Sequence, residues 1–220
     1  MKKGLLAILT AATLAVGGGV FVASGTAFGY IICNGTFDTQ TITTSVVVPK
    51  GAFCNLQTTI VEGNVQVQSG GTLVVGAGST IEGSVQSNAP GSNPGDPVAN
   101  GVSPFSIVIC NSDIDGPVQI SGATAAVEVG ANTSPGCGGN DINENGTNSS
   151  TGVSLTSNKG PTYLDSNAIT GSVGVSSNRG LTDVSDNTIS ANLTCSANNP
   201  APVGGGNTVG GSKNLQCSSL

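Results

Sequence analysis

The C-terminal half of the sequence repeats itself at every twentieth position. Apolar segments, polar turns and asparagines all keep this step, and the tracts SNKG at 157–160 and SNRG at 177–180 are near copies. Two sets of asparagines extend over three units each: Asn158, Asn178 and Asn198, and Asn167, Asn187 and Asn207. A unit of this length cannot bury a core alone, but it can stack on copies of itself. The period therefore predicts a solenoid.

The N-terminal half carries the same period. Its unit reads approximately Ile/Val-x-Gly-x-Val-x-Val, followed by a polar turn and a second short apolar segment. Apolar and polar residues alternate within each unit, which is typical of strands with one buried face. The residues predicted to stack are Val47 with Val67, Phe53 with Leu73, Val61 with Ile81, Glu62 with Glu82, and Val65 with Val85.

The spacing is longer in the middle of the chain. The steps from Ile81 to Ile114, from Ile114 to Ile142 and from Ile142 to Ile169 all exceed the period, the first of them most. Segments rich in Asn, Pro and Gly can hold the excess as surface loops. The predicted insertions are at about 88–104, near 131–138 and near 143–151. The pattern leaves the register of Ile142 open.

Stacked units of this kind predict a parallel β-helix of about seven or eight coils. Each strand then pairs in parallel with its equivalent one coil away, at about 4.8 Å. Inward Val, Ile and Leu form columns in a narrow core. Gly and Asn tolerate positive φ, so we expect them at the corners of the coil. A β-sandwich is the alternative fold, but sandwiches lack a fixed self-similarity of this kind.

The N-terminus has the pattern of a secretory signal. An apolar run follows the basic Met1-Lys2-Lys3, and small residues predict cleavage after Ala27. An uncleaved membrane anchor is the alternative, although three consecutive glycines interrupt the run. We therefore predict a signal peptide at 1–27 and a single β-helix domain at 28–220. The mature protein is expected to be secreted, extracellular or on the cell surface, without a stable membrane span.

All six cysteines follow the predicted signal peptide. An even number of cysteines in an exported chain predicts disulfides, although six cysteines allow fifteen connectivities. Residues one coil apart stack within the Cα range of a disulfide. Sequential pairing joins cysteines that are about one coil apart or, for the middle pair, one coil with an insertion. The predicted bridges are Cys33–Cys54, Cys110–Cys137 and Cys195–Cys217.

The repeated Ile/Val-x-Gly-x-Val-x-Val units, the export signal and the coil-to-coil cysteines together resemble secreted bacterial right-handed parallel β-helix repeat proteins. The resemblance covers about residues 33–217. It implies a right-handed parallel β-helix. It implies no particular activity, because most of these proteins have no assigned function.

Composition disfavours several classes of function. The chain contains no histidine, so a histidine-based catalytic site is impossible. Predicted cleavage leaves four basic and twelve acidic residues, a net charge of −8. Such a chain repels phosphate, which disfavours nucleic acid as a partner.

Acidic residues are predicted to gather on one face. If Val61, Ile81 and Ile114 point inward, the residues that follow them point outward on successive coils. Stacked carboxylates repel one another, and a hard cation such as Ca²⁺ would relieve the repulsion. A solvated acidic face is the alternative, since no repeated Ca²⁺-loop motif is present. The candidate metal ligands are Glu62, Glu82, Asp113 and Asp115, with Asp141 beside them; no other cofactor is predicted.

The fold also allows an enzyme of the polysaccharide lyase or hydrolase type, on the weak ground of analogy. The carboxylate pairs that could hydrolyse a glycoside are Asp113 with Asp115 and Asp183 with Asp186. Lys159 and Arg179 lie one period apart, which is typical of stacked corners and not of a base beside the acids. Tryptophan, a usual platform for sugars, is absent.

An ice-binding solenoid is a lower alternative, because no Thr-x-Thr recurs at a fixed position of the coil. We therefore expect an exported, non-catalytic structural or surface-interaction protein. Its predicted partners are a cell-wall polymer, another glycan or a second copy of the chain.

Overall fold

The computed structural model describes residues 29–76, 78–92, 104–131, 137–142 and 151–220. The predicted signal peptide at 1–27 and residues 93–103 of the predicted insertion lie outside these ranges. In the described part of the chain, no helix is long and apolar enough to span a bilayer.

The described residues form 25 β-strands. The first nine are β1 (Tyr30–Ile32), β2 (Gly35–Asp38), β3 (Thr41–Ile42), β4 (Ser45–Val48), β5 (Phe53–Gln57), β6 (Ile60–Val61), β7 (Val65–Val67), β8 (Thr72–Gly76) and β9 (Thr80–Ile81). The next nine are β10 (Val85–Asn88), β11 (Phe105–Ile109), β12 (Asp113–Ile114), β13 (Val118–Ser121), β14 (Ala126–Gly130), β15 (Asp141–Ile142), β16 (Thr151–Thr156), β17 (Thr162–Asp165) and β18 (Ala168–Ile169). The last seven are β19 (Ser172–Ser176), β20 (Thr182–Ser185), β21 (Thr188–Ile189), β22 (Leu193–Ser196), β23 (Val203–Gly205), β24 (Thr208–Val209) and β25 (Lys213–Leu215).

Every third strand joins the same sheet. Sheet A starts at β1 and contains nine strands, sheet B starts at β2 and contains eight, and sheet C starts at β3 and contains eight. Neighbouring strands within each sheet are parallel. Three strands make one coil, so the described residues form eight complete coils followed by β25. The predicted parallel β-helix of seven or eight coils is confirmed.

Alternation along the strands places the inward side chains in columns. In sheet C, Ile81, Ile114 and Ile142 are paired on successive coils and are fully buried. Burying one such side chain stabilises the fold by roughly 1.5–3 kcal/mol. A single apolar cluster extends through the stacked coils from Cys33 to Leu220. The columns explain why small branched residues suffice for this core.

The extra residues of the middle coils lie between strands. The step from Ile81 to Ile114 is lengthened between β10 and β11, where the sequence predicts the 88–104 insertion. The next two steps are lengthened between β14 and β15 and between β15 and β16, as predicted. Ile142 pairs with Ile114 on one side and Ile169 on the other, which determines the register that the pattern left open.

The predicted stacking is wrong in one coil. The pairs Val47–Val67 and Phe53–Leu73 are each displaced by one residue, because this coil is one residue shorter than the period. The corner after β5 is one residue shorter than the corner after β8. A shift of one residue moves a side chain to the opposite face of a strand, and this displacement turns Val47 outward.

Buried asparagines form two ladders inside the corners. Between sheets B and C, each Nδ2 donates to the Oδ1 of the asparagine on the next coil, at 2.9–3.0 Å. This ladder contains Asn140, Asn167, Asn187 and Asn207. A second ladder between sheets A and B contains Asn158, Asn178 and Asn198 and ends on Gln216. The regular spacing of the asparagines therefore reflects side-chain stacking.

The expectation that asparagine supplies the positive-φ corners is wrong. Among described non-glycine residues with positive φ, Asn111 is the one asparagine, and most of the others are Ser, Thr or Ala that directly precede a buried corner residue. The expectation for glycine is confirmed, since corner residues such as Gly78 and Gly122 have positive φ. At other corners glycine is required because the neighbouring coil approaches closely. A Cβ on Gly180 would clash with the carbonyl oxygen of Gly160 on the preceding coil.

The structure contains the three predicted disulfides, with Cα–Cα distances of 5.4, 5.2 and 5.1 Å. Cys33–Cys54 and Cys195–Cys217 lie inside the main core at the two ends of the solenoid. Cys110–Cys137 lies in a small apolar cluster on the outer face of sheet B, with Val74 and Val108. This third bridge attaches Cys137, which precedes β15, to the end of β11.

Candidate functional site

A groove runs across the outer face of sheet A over four successive coils. Its floor and walls come from β7, β10, β13 and β16, and its volume is about 520 Å³. One outward column along it is Gln66, Gln86, Gln119 and Ser154, which are paired from coil to coil. The coil period thus places three glutamine side chains side by side, one above another, on the protein surface.

The groove is polar and uncharged. The three glutamines are exposed, and each amide offers two donors and one acceptor oxygen. A second column, formed by Asn88, Ser121 and Thr156, adds an amide and two hydroxyl groups. The described residues that line the groove carry no formal charge. Such a surface fits a ligand rich in hydroxyl groups.

Sequence reasoning did not single out this groove. The signal is present, because Gln66, Gln86 and Gln119 each directly follow an inward valine of the repeat. The repeat was defined by its apolar positions, and the outward residue between them was left variable. A comparison of outward positions would have found it.

The predicted acidic residues share one edge of the solenoid. Three of them stack at the corner after sheet C: Glu62, Glu82 and Asp115. The backbone N–H of each donates to the carbonyl oxygen of the inward residue on the preceding coil, at 2.8–2.9 Å. Asp113 and Asp141 are paired neighbours on the outer face of sheet C. Within the described ranges, no group of three or more potential ligands could hold a metal ion. Ca²⁺ binding here stays a prediction.

The pKa of Asp113 is raised above its ordinary value by partial burial and by its acidic neighbours. Partial burial is the largest cause, followed by the charges of Asp115 and Asp141. A raised carboxyl pKa means that the folded state holds a proton more tightly than the unfolded state. Ionised Asp113 therefore destabilises the fold. The destabilisation begins as pH rises above 3.8, the ordinary pKa of this carboxyl group, and is complete once pH has passed the raised pKa.

Replacing Asp113 by Asn removes this dependence. We expect Asp113→Asn to be more stable than the natural protein at neutral pH, by a few tenths of a kcal/mol, the scale of an exposed charge pair. The difference should vanish as pH falls below 3.8. Thermal unfolding of both proteins across this pH range measures it. Asp38→Asn, on sheet B, is the matched control, and an equal gain from the control would contradict the role of the acidic edge.

The other proposed acid pair and the cations lie elsewhere. Asp183 faces outward on sheet B, where it accepts a hydrogen bond from the Ser185 hydroxyl, and Asp186 occupies an exposed corner with φ of 52°. Lys159 and Arg179 occupy stacked corners between sheets A and B. The predicted corner arrangement of these two cations is therefore confirmed, and neither shares an element with Asp113 or Asp115.

A buried carboxyl group that the sequence did not suggest lies on sheet B. Glu128 is fully buried on the outer face of the sheet, and it is paired with Tyr163, which is paired with Asp183. Burial raises the pKa of Tyr163, and the charges of Glu128 and then Asp183 add to the effect. The alternation of β14 predicts an outward, solvated position for Glu128.

The outer column of sheet C contains four threonines, but they do not form a continuous ladder. The column is Thr41, Ile60, Thr80, Asp113, Asp141, Ala168, Thr188 and Thr208. The two carboxylates and the two apolar residues interrupt the threonines. Searching for Thr-x-Thr did not find these single threonines.

Comparison of the chain with protein-family models, with curated proteins and with solved structures finds no match.

Proposed function

We propose that this protein is an exported, non-catalytic surface-interaction protein that binds a neutral polysaccharide along the groove of sheet A. The observation that carries the proposal is the glutamine column, Gln66, Gln86 and Gln119, on three adjacent coils. Wall polymers and other matrix glycans belong to this chemical class.

Export is supported by two features. The N-terminal residues have the order of a secretory signal: basic, apolar, then small. The three disulfides are compatible with an oxidising compartment outside the cytoplasm, where such bonds persist.

A neutral, extended ligand matches the groove in charge and in length. The net charge of −8 predicted for the mature chain repels acidic polymers. Amides can donate to and accept from sugar hydroxyls at the same time. Four strands separated by about 4.8 Å span roughly 14 Å, enough for several linked units of a polymer. The paired strands fix the backbone positions of the glutamines at one per coil, which lowers the backbone part of the entropy cost of binding.

The glutamine column can be tested directly. We expect Gln86→Ala combined with Gln119→Ala to weaken binding roughly tenfold or more, because two hydrogen bonds are lost at about 0.5–1.5 kcal/mol each. Co-sedimentation with insoluble cellulose and chitin, followed by titration calorimetry with soluble oligosaccharides of the bound polymer, measures the loss.

Gln40→Ala is the matched control, since Gln40 is an exposed glutamine at a corner outside the groove. It should bind as the natural protein does. Equal binding by the double variant, or no binding of any neutral polymer by the natural protein, would refute the proposal. Release of soluble sugars that is lost on changing Asp113 or Asp115 would support an enzyme instead.

A further inference from the structure

The N-terminal end of the solenoid has an apolar, exposed edge strand. In β1, Ile31 and Ile32 are 40% and 48% exposed. Ile31 is paired with Val46, which is fully buried in the core on the next coil. The side chain of Ile31 thus takes the position of a core residue and is still open to solvent.

The backbone of β1 also has an open side. The N–H of Cys33 donates to the carbonyl of Val47 at 2.9 Å, so Cys33 faces β4. In a parallel strand the backbone N–H and C=O groups of alternate residues point to opposite neighbouring strands. The N–H and C=O of Ile32 therefore point away from β4. No strand follows on that side, since β1 is the first strand of sheet A in the described part of the chain. The N–H and C=O of Ile32 are therefore placed to pair with another strand.

The opposite end of the solenoid is closed. After β25 the last residues turn over the core, where Cys217 and Leu220 are buried. The Gln216 side chain ends the second asparagine ladder. Its Oε1 accepts from the N–H of Asn198 at 2.9 Å, and its Nε2 donates to the Asn198 carbonyl at 3.0 Å. This cap obstructs the stacking of one solenoid head-to-tail on another.

We propose that two copies of the mature chain form a closed head-to-head dimer through antiparallel pairing of their β1 strands. This inference rests on the proposed export, because cleavage after Ala27 leaves two residues, Phe28 and Gly29, ahead of β1. Such a short segment cannot cover the end of the coil.

A second copy is the occupant that fits this edge. An antiparallel strand pair is self-complementary about a two-fold axis, so the interface closes and does not propagate. Asp38 is the one charged side chain of the first coil, 29–44, and the predicted cleavage adds the α-ammonium group of Phe28. These two charges are opposite in sign, so two such ends carry little net charge and repel each other little despite the acidic chain. Sheet A then continues from one copy into the other. Each dimer carries two grooves, which raises its avidity for a long polymer.

Size-exclusion chromatography of the exported protein, with light scattering to measure its mass, tests the dimer. Its intact mass first establishes the N-terminus of the chain. We expect the natural protein to have twice the mass of one mature chain, and the Ile32→Lys variant to have the mass of a single chain. Val203→Lys changes another exposed apolar residue, at the opposite end of the solenoid, and should remain dimeric.

Hydrogen exchange gives a second measurement that does not require a folded variant. The amide of Ile32 should exchange slowly in the dimer and faster on dilution. A monomeric natural protein, longer assemblies, or a dimeric Ile32→Lys would overturn the proposal. A mature chain that retains a long segment ahead of β1 would overturn it as well, because that segment could cover the end of the coil. Glycan binding by each copy depends on Gln86 and Gln119, so either proposal can fail without the other.

Discussion

Replacing Asn187 by Ala is expected to destabilise the solenoid by about 3–5 kcal/mol. Asn187 is 1% exposed, and its Nδ2 donates to the carbonyls of Leu164 and Ser185, both at 2.8 Å. Its Oδ1 accepts from the N–H of Asn167 at 3.0 Å. The shorter side chain leaves the buried N–H of Asn167 without its acceptor, at about 1–3 kcal/mol, and removes two further hydrogen bonds to carbonyl groups, at about 0.5–1.5 kcal/mol each. Denaturant unfolding followed by circular dichroism measures the loss.

Two further variants separate the ladder from general effects of asparagine. Asn34→Ala changes an exposed asparagine and should leave the unfolding midpoint almost unchanged. Asn187→Asp keeps the shape but replaces the Nδ2 donor by an acceptor and places a carboxyl group in the ladder. It should cost at least as much as Asn187→Ala. A loss below about 1 kcal/mol for both changes at Asn187 would contradict the ladder's role.

The ladder also indicates what the sequence could and could not predict. The regular step of Asn167, Asn187 and Asn207 is visible without a structure, and it correctly predicts that these residues stack. The periodicity alone does not distinguish a positive-φ corner from a buried amide, because both recur once per coil. The preceding residues, Ser166 and Asp186, adopt the positive φ instead.

Strand order and the location of the insertions followed from apolar spacing, since Val, Ile and Leu fill most of the core columns. The exact register did not follow where a corner changed length by one residue. The run Val46–Val48 is apolar on both faces, so alternation could not identify Val47 as the outward residue. In β7 and β10 the alternation is clear, and the predicted pair of Val65 with Val85 is confirmed.

The candidate site was predicted in part. The acidic edge follows from the residues after the inward positions of sheet C, and the structure places Glu62, Glu82 and Asp115 in one stack. The glutamine groove was missed, since the repeat was defined by its apolar positions and the outward residues between them were left variable. Glu128 was missed for another reason. The alternation of a strand reports which face a residue lies on, but it does not report whether other segments cover that face.

Removing the Cys33–Cys54 bridge should cost about 3 kcal/mol, the scale expected for a sequence separation of 21. We expect Cys33→Ala combined with Cys54→Ala to lower the free energy of unfolding by this amount, measured with denaturant. The bridge joins the first coil to the second, so its loss leaves β1 held by its pairing with β4 and should weaken the proposed dimer. Cys110→Ala combined with Cys137→Ala leaves β1 attached and should preserve the dimer.

The same bridges should differ in their access to reductant. Cys33, Cys54, Cys195 and Cys217 are fully buried, whereas Cys110 is 9% exposed and Cys137 is only partly buried. A thiol reductant under native conditions should therefore open Cys110–Cys137 first, because exchange requires access to the sulfur. Alkylation of the released thiols and peptide mapping would identify the order. Equal labelling of Cys33 and Cys110 at early times would mean that the end coil opens to solvent as readily as the outer face, and that the disulfide does not hold β1 in place.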